Sequence, residues 1–219
     1  VNQGKSLPKN LIDELLPEYS AVLPTNLSLR KIPSKIVNWL NQEPESPFFG
    51  LIKRASTNSN LDLDIKPVIT DSALLETIKK SLYHERGCLA RHRNHLTGQI
   101  DINSIALTLT TFWTAVKNTF PEAWGIPPKD SRLMHSVGLH AMSSLMDDIM
   151  SSIDVNNENA VNLIEKQLKT IKSKCAWTKN AGEWIPGYEW NAFQATPSDI
   201  KKLTGHILNL YYSQKDFKK

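Results

Sequence analysis

Two apolar helical stripes, joined by a proline-rich break, constrain this chain more than any other feature. Between Ile102 and Phe120 the apolar residues Ile102, Ile105, Leu109, Phe112, Trp113, Val116 and Phe120 recur at steps of three and four, with one adjacent pair. That spacing places them on one side of an α-helix, in a stripe about 100° wide. Asp101 stands where a cap is needed and Pro121 where the helix must stop. Trp124, Gly125, Pro127 and Pro128 fill the break, and Asp130 or Ser131 is the expected cap of the next helix. The inward face of that helix reads Met134, Val137, Gly138, Ala141, Leu145 and Ile149. Gly138 and Ala141 leave room there for a neighbouring helix. Little else is this apolar for this long, so the other segments are expected to pack on this pair. The fold class expected is mainly α: one helical domain over residues 1–219, built around a central antiparallel helix pair, with a small β-hairpin.

The flanking segments read as follows. Leu7–Leu16 has the spacing of a short helix, and Pro33 is placed to open another with Ile36, Val37 and Leu40 inward. Phe48–Lys53 and Lys66–Thr70 are strand-like in composition, with the polar stretch Ala55–Asn60 between them, which predicts the hairpin. Asp71 caps a helix carrying Leu74, Leu75, Ile78 and Leu82. Residues 83–100 are basic and histidine-rich, with Gly87 and Gly98 as breakers, and read as irregular. Glu158–Cys175 reads as a helix with Val161, Ile164, Leu168, Ile171 and Cys175 inward. Residues 176–195 follow as an aromatic loop, and Thr196-Pro197-Ser198-Asp199 starts the last helix.

The net charge of +4 is unevenly spread. Residues 79–95, 165–179 and 201–219 each hold five Lys or Arg and one acidic residue, which makes each +4 and leaves −8 on the rest. A basic surface set against an acidic one favours a polyanion partner, although solvated helix faces give the same pattern. Lys166 and Lys169 lie opposite the apolar stripe of their helix, and Arg91 and Arg93 lie in the other basic block. These four are the candidate DNA-binding residues, contacting backbone phosphates. No run of ~18 apolar residues is present, so no membrane span is expected. Two cysteines, Cys88 and Cys175, are too few for a disulfide framework, and a reducing cytoplasm is the expected location. The chain opens at Val1, without methionine, in what reads as a strand end, so a piece of a larger protein is the expectation.

Sites of chemistry are weakly marked. His84, Cys88, His92 and His95 follow helical spacing and carry zinc-ligand chemistry, but Gly87 and Gly98 break the helix that would align them. They read as exposed or phosphate-facing, with a metal-dependent enzyme as a third alternative. His135 and His140 point apart on a helix. Asp147 and Asp148, beside Asp154, read as a solvated helix end rather than a cation site. Trp177, Trp184, Tyr188 and Trp190 would either pin their loop to the core or stack on bases. No glycine-rich phosphate loop, GxSxG or HExxH occurs, and no catalytic residue, metal site or cofactor is expected in this chain.

Several stretches carry a resemblance. VNQGKSLPKNLIDELLP at the start, FWTAVKNTFPEAWG, SRLMHSVGLHAM and the closing TPSDIKKLTGHILNLY resemble the region downstream of the signature in DGQHR-domain proteins. That family includes relatives of the repressor of DNA phosphorothioation clusters and a component of deazaguanine DNA-modification clusters. The DGQHR motif itself is absent, so no catalytic residue transfers to this chain. The resemblance implies the helical C-terminal region of a prokaryotic DNA-modification or phage-defence protein. An N-terminal ParB/sulfiredoxin-like part would lie outside this chain and hold any activity. The partners implied are DNA and other DNA-modification proteins. The rival reading is a protein-interaction scaffold, with the aromatic loop and the acidic face docking a partner.

Overall fold

A computed structural model describes residues 25–54, 66–94 and 96–216. Six helices follow in order: α1 Thr25–Gln42, α2 Asp71–Tyr83, α3 Ile102–Thr119, α4 Ser136–Met150, α5 Ala160–Lys169 and α6 Pro197–Asp216. The strands are short: β1 Ile52–Lys53, β2 Ile69–Thr70, β3 Glu183–Ile185 and β4 Tyr188–Glu189. The class is therefore mainly α with one small antiparallel hairpin, β3–β4. The expected helix over Leu7–Leu16 and the stretch Ala55–Asn60 lie outside the described residues.

The apolar stripes of α3 and α4 are buried as the spacing requires, and Asp101 caps α3 by accepting from the Ser104 N–H at 3.0 Å. The two helices hold the centre by gripping different partners. Helix α3 packs chiefly on α5, while α4 packs on α6 and α2, and α1 closes over α2. Trp113 is fully buried, edge-on to Phe48 at 5.2 Å and to Phe112 at 5.5 Å, with Trp124 beside it at 6.1 Å. Arg30 reaches this side of the molecule from α1 and pairs with Glu76. Burial pushes the Glu76 carboxyl up, but Arg30 and Lys79 outweigh it and hold the group below its ordinary value.

Several boundaries differ from the sequence reading. The hairpin expected from Phe48–Lys53 and Lys66–Thr70 is instead a parallel pair of two-residue strands, with Ile52 opposite Ile69. A parallel pair needs a long crossover, and the intervening stretch is long enough to supply one. The true hairpin lies in the aromatic segment. Pro33 sits inside α1 rather than at its start. Helix α4 begins at Ser136, not after Asp130, because residues Pro127–Ser131 form a turn whose backbone is bonded to itself. Its cap is His135, whose Nδ1 accepts from the Val137 N–H. Gly138 makes room for its own preceding turn rather than for another helix: a Cβ there would lie 2.0 Å from the Arg132 carbonyl oxygen. Helix α5 ends at Lys169, and Ile171 and Cys175 reach the core from either side of the short 3₁₀ turn Lys172–Lys174.

The break and the hairpin are sewn together by Arg132. Its backbone N–H donates to the Trp177 carbonyl at 2.8 Å, and its guanidinium donates to the carbonyls of Pro128 and Asn191. The same guanidinium lies over the Trp190 ring at 5.7 Å. Trp177 and Trp184 meet edge to face at 4.6 Å, and both are buried with Phe193.

Replacing Trp113 with Ala should lower stability by about 3–5 kcal/mol, the range for a fully buried large aromatic. A denaturant melt checks this, and an unchanged midpoint would contradict the packing described.

A second prediction concerns acid. His92, His135, His140 and His206 all have their pKa lowered, in each case chiefly by burial. Protonation would also cost His135 its cap, because Nδ1 could no longer accept. The unfolded chain therefore binds protons first, as pH falls through the ordinary histidine value of about 6.5. The stability from keeping these rings neutral is fully present above that value. It is lost progressively below it, down to the folded pKa values. Thermal melts should show a lower midpoint at about pH 5 than at about pH 7, with the loss beginning near 6.5.

Candidate nucleic-acid interface

The turn after α2 is held by a joint that the sequence hides. Gly87 lies so close to the end of α2 that a Cβ would sit 1.9 Å from the Ser81 carbonyl oxygen. That closeness lets the 3₁₀ turn Cys88–His92 fold back against α2 and reach α4. Asp147, in the last turn of α4, accepts hydrogen bonds from the Ser81 hydroxyl and, at 2.9 Å, from the Cys88 N–H. Arg91 replies from the same 3₁₀ turn. Its Nε donates to the Cys88 carbonyl at 2.8 Å, and its Nη2 donates to the carbonyl of Met150, the last residue of α4. A carboxylate thus satisfies the start of the turn and a guanidinium satisfies the end of the helix. Asp147 is a joint residue, which corrects its reading as part of a solvated helix end. Burial and the Asp147 charge push the Cys88 thiol up, so Cys88 is a packing residue and not a nucleophile.

Above this joint lies an open cleft of about 740 Å³, lined by Arg91, His92, Arg93, Asn94, Gln99, Ile100 and Asp101. Arg91 is bonded to two carbonyls, so its guanidinium is fixed in place while its positive charge is not cancelled. Arg93 lies over the Tyr83 ring at 5.5 Å. His92 Nε2 meets the Thr108 hydroxyl at 3.1 Å, anchoring the cleft floor to α3. Burial lowers the His92 pKa, and Arg91 lowers it further. Asp101 faces the cleft as a carboxylate, but both its oxygens are engaged by Ser104, at 3.0 Å from the N–H and 2.7 Å from the hydroxyl. The cleft thus presents the fixed Arg91 guanidinium, Arg93 and the Asn94 and Gln99 amides around an open space, with the Asp101 carboxylate, whose charge its neutral partners do not cancel, at the start of α3. The arginine end suits a phosphate-bearing chain.

Lys166 and Lys169 are exposed on α5, at the other end of α3. Lys169 pairs with Glu165 at 3.0 Å, and Glu165 also accepts from Asn118 at 2.8 Å. Those two bonds hold the Glu165 carboxyl below its ordinary value. Lys169 is thus partly neutralised, and Lys166 has no ion pair among those found in the described residues. Arg91 and Arg93 flank the start of α3, whereas Lys166 and Lys169 flank its end, ~27 Å along the helix axis. The four candidate residues are therefore not one patch. Arg91 and Arg93 share the cleft, and the lysines stand apart.

The remaining candidates separate likewise. His84 is exposed, Cys88 is buried and His92 bonds Thr108, while His95 lies outside the described residues. Among the described residues no three His, Cys, Asp or Glu side chains are grouped to hold a metal ion. The aromatic segment packs: Tyr188 stacks on Phe193 at 5.4 Å, and Trp184 donates to the Trp190 carbonyl. Trp177 and Trp184 are therefore not offered to bases, whereas Tyr188 has one face against Phe193 and keeps 40% of its surface exposed.

Replacing Gly87 with Ala should cost about 1–3 kcal/mol, because a backbone oxygen cannot give way as a flexible side chain would. Asp147→Ala should destabilise by about as much, since it leaves the Cys88 N–H and the Ser81 hydroxyl without their acceptor. Denaturant melts of the two variants check both. Wild-type stability in either would show that the joint is not under this constraint.

Comparison with known proteins finds no match: no family model, no curated protein and no solved structure is similar to this chain. Among the described residues no helix is long and apolar enough to cross a membrane.

Proposed function

We propose that this chain is a helical nucleic-acid-binding region that holds duplex backbone in the Arg91–Asp101 cleft, with Lys166 and Lys169 as a second, weaker contact on α5. The observation that carries this reading is the state of Arg91. A guanidinium bonded only by neutral carbonyls is rigid yet still fully charged, which suits recognition of a polyanion more than a salt-bridged surface would. The DGQHR resemblance agrees with it and supplies a setting: DNA modification or defence, in a prokaryotic cytoplasm, beside other modification proteins. On this reading the chain positions DNA and performs no chemistry of its own.

Binding should be sequence-tolerant and strongly salt-dependent, because phosphate contacts act by releasing counterions. The test is a salt titration on two unrelated duplexes. Arg93→Gln should weaken binding to both and flatten the salt slope by about one unit, and Lys166→Glu with Lys169→Glu by about two. The double variant also removes the Lys169–Glu165 pair and sets two carboxylates one turn apart at a helix C-terminus, so it should cost about 1 kcal/mol while leaving the fold in place. A wild-type chain that binds neither duplex at low salt would refute the reading and leave the protein scaffold in its place.

A further inference from the structure

The β3–β4 hairpin has an inward and an outward side, set by the two-residue period of a strand. Trp184 is its inward residue, buried edge-on to Trp177, and its indole N–H donates to the Trp190 carbonyl at 3.2 Å. Glu183 and Ile185, on either side of it, are exposed. The two-residue turn Pro186–Gly187, with Gly187 at a φ of 84°, then returns the chain. It sets Tyr188 opposite Ile185 and Glu189 opposite Glu183. The Tyr188 ring is held by its stack on Phe193 at 5.4 Å. The exposed residues of the hairpin are therefore an apolar couple beside a couple of carboxylates.

Both couples are short of partners. Ile185 keeps 39% of its surface exposed and Tyr188 keeps 40%. Glu183 and Glu189 lie opposite one another as like charges, which works against the pairing of their strands. Glu183 accepts from the Gly187 N–H at 3.1 Å, a neutral donor. Neither carboxylate belongs to an ion pair found among the described residues. Cations brought by another surface would relieve that repulsion. The outward side of α5 has the matching make-up. Ile164 and Leu168 hold this helix to the core by its other side. Leu163 is 43% exposed, and Lys166 and Lys169 follow it at successive turns. Leu163 and Ile185 are both exposed, so neither covers the other within one copy.

We propose that the outward side of the hairpin of one copy docks on the outward side of α5 of a second copy, with Ile185 and Tyr188 against Leu163 and the Glu183–Glu189 couple against Lys166. The charges are complementary, and the apolar residues that each face leaves in water are covered by the other. A basic partner of another kind would fit the hairpin but would leave Leu163 uncovered. Lys169 adds to the contact, since its exposed pair with Glu165 is weak enough to exchange. Every copy carries both faces, so the contact is head-to-tail and continues from copy to copy as a ring or an open chain. Three apolar side chains and a few charges make a small interface, which implies weak and salt-sensitive association. The inference does not rest on the nucleic-acid reading above.

The experiment is sedimentation velocity on the full chain, freed of nucleic acid by nuclease, over a range of protein concentrations at low and high salt. The wild type should sediment faster as concentration rises, pass beyond the dimer, and return to monomer in high salt. Lys166→Glu spoils the α5 face and Glu189→Lys the hairpin face. Each alone should weaken self-association by about tenfold or more, as like charges are brought together or opposite ones lost. An equimolar mixture of the two should recover a mixed dimer, because one variant keeps its hairpin and the other keeps its α5. Ile185→Ser should weaken association while leaving its salt dependence unchanged. A wild type that stays monomeric throughout overturns the contact. So does association that neither charge variant weakens, or a mixture that associates no better than its parts. A monomeric wild type that nonetheless binds duplex refutes this contact alone and leaves the nucleic-acid reading standing.

Discussion

Helix α3 is enclosed on most of its circumference, and the other elements take their places from that. The stripe of Ile105, Leu109, Phe112 and Val116 would bury one side of it. Ala106, Thr108, Thr111, Ala115 and Thr119 are buried as well. Small residues and threonines allow neighbouring elements to approach closely where larger side chains would hold them off. A threonine can also satisfy its hydroxyl within its own helix, as Thr108 does by donating to the Ser104 carbonyl at 2.8 Å. Thr108 then meets His92 as well. The same helix that centres the core therefore fixes the floor of the cleft. Removing Trp113 from this helix would disturb α3 against Phe48 and Trp124, and through α3 the ground on which Arg91 and Arg93 stand.

The joint between α2, the 3₁₀ turn and α4 converts that rigidity into placed charge. Asp147 and Arg91 face one another's elements across the joint, each satisfying backbone groups that would otherwise be left unpaired. An ion pair between them would have cancelled the charge of Arg91. Bonding to carbonyls does not. The lysine pair on α5 shows the contrast, since Lys169 spends its charge on Glu165. Arg91 and Lys169 thus differ in what each can offer a polyanion.

Much of the core was legible from periodicity, because steps of three and four report burial directly. The stripes of α2, α3 and α4 and the Asp101 and Thr196 caps lie where the spacing puts them. Long-range geometry was not legible. Strand direction between β1 and β2 depends on the path of the crossover, not on the composition of either strand. The hairpin escaped notice because Trp184, Trp190 and Phe193 read equally well as loop anchors, and its strands are only three and two residues long. Arg91 and Arg93 were identified from charge alone, but the partner that fixes Arg91 is a carbonyl 59 positions away. Gly87 looked like a breaker, whereas its role is the absence of a Cβ against Ser81.

Distance decides how the two basic ends can act together. They lie ~27 Å apart along α3, whereas charges in physiological salt are screened over ~8 Å. The two ends therefore do not build one field, and neither raises the affinity of the other for a small anion. They add only for a ligand that is itself long and regularly charged. Duplex DNA carries one phosphate per ~3.4 Å on each strand, so a stretch of about eight base pairs covers the interval. A straight duplex lying on the cleft would still have to follow the protein surface to reach α5. A short anion would meet only one of the two basic ends, so Lys166 adds to the cleft only for a partner long enough to span both.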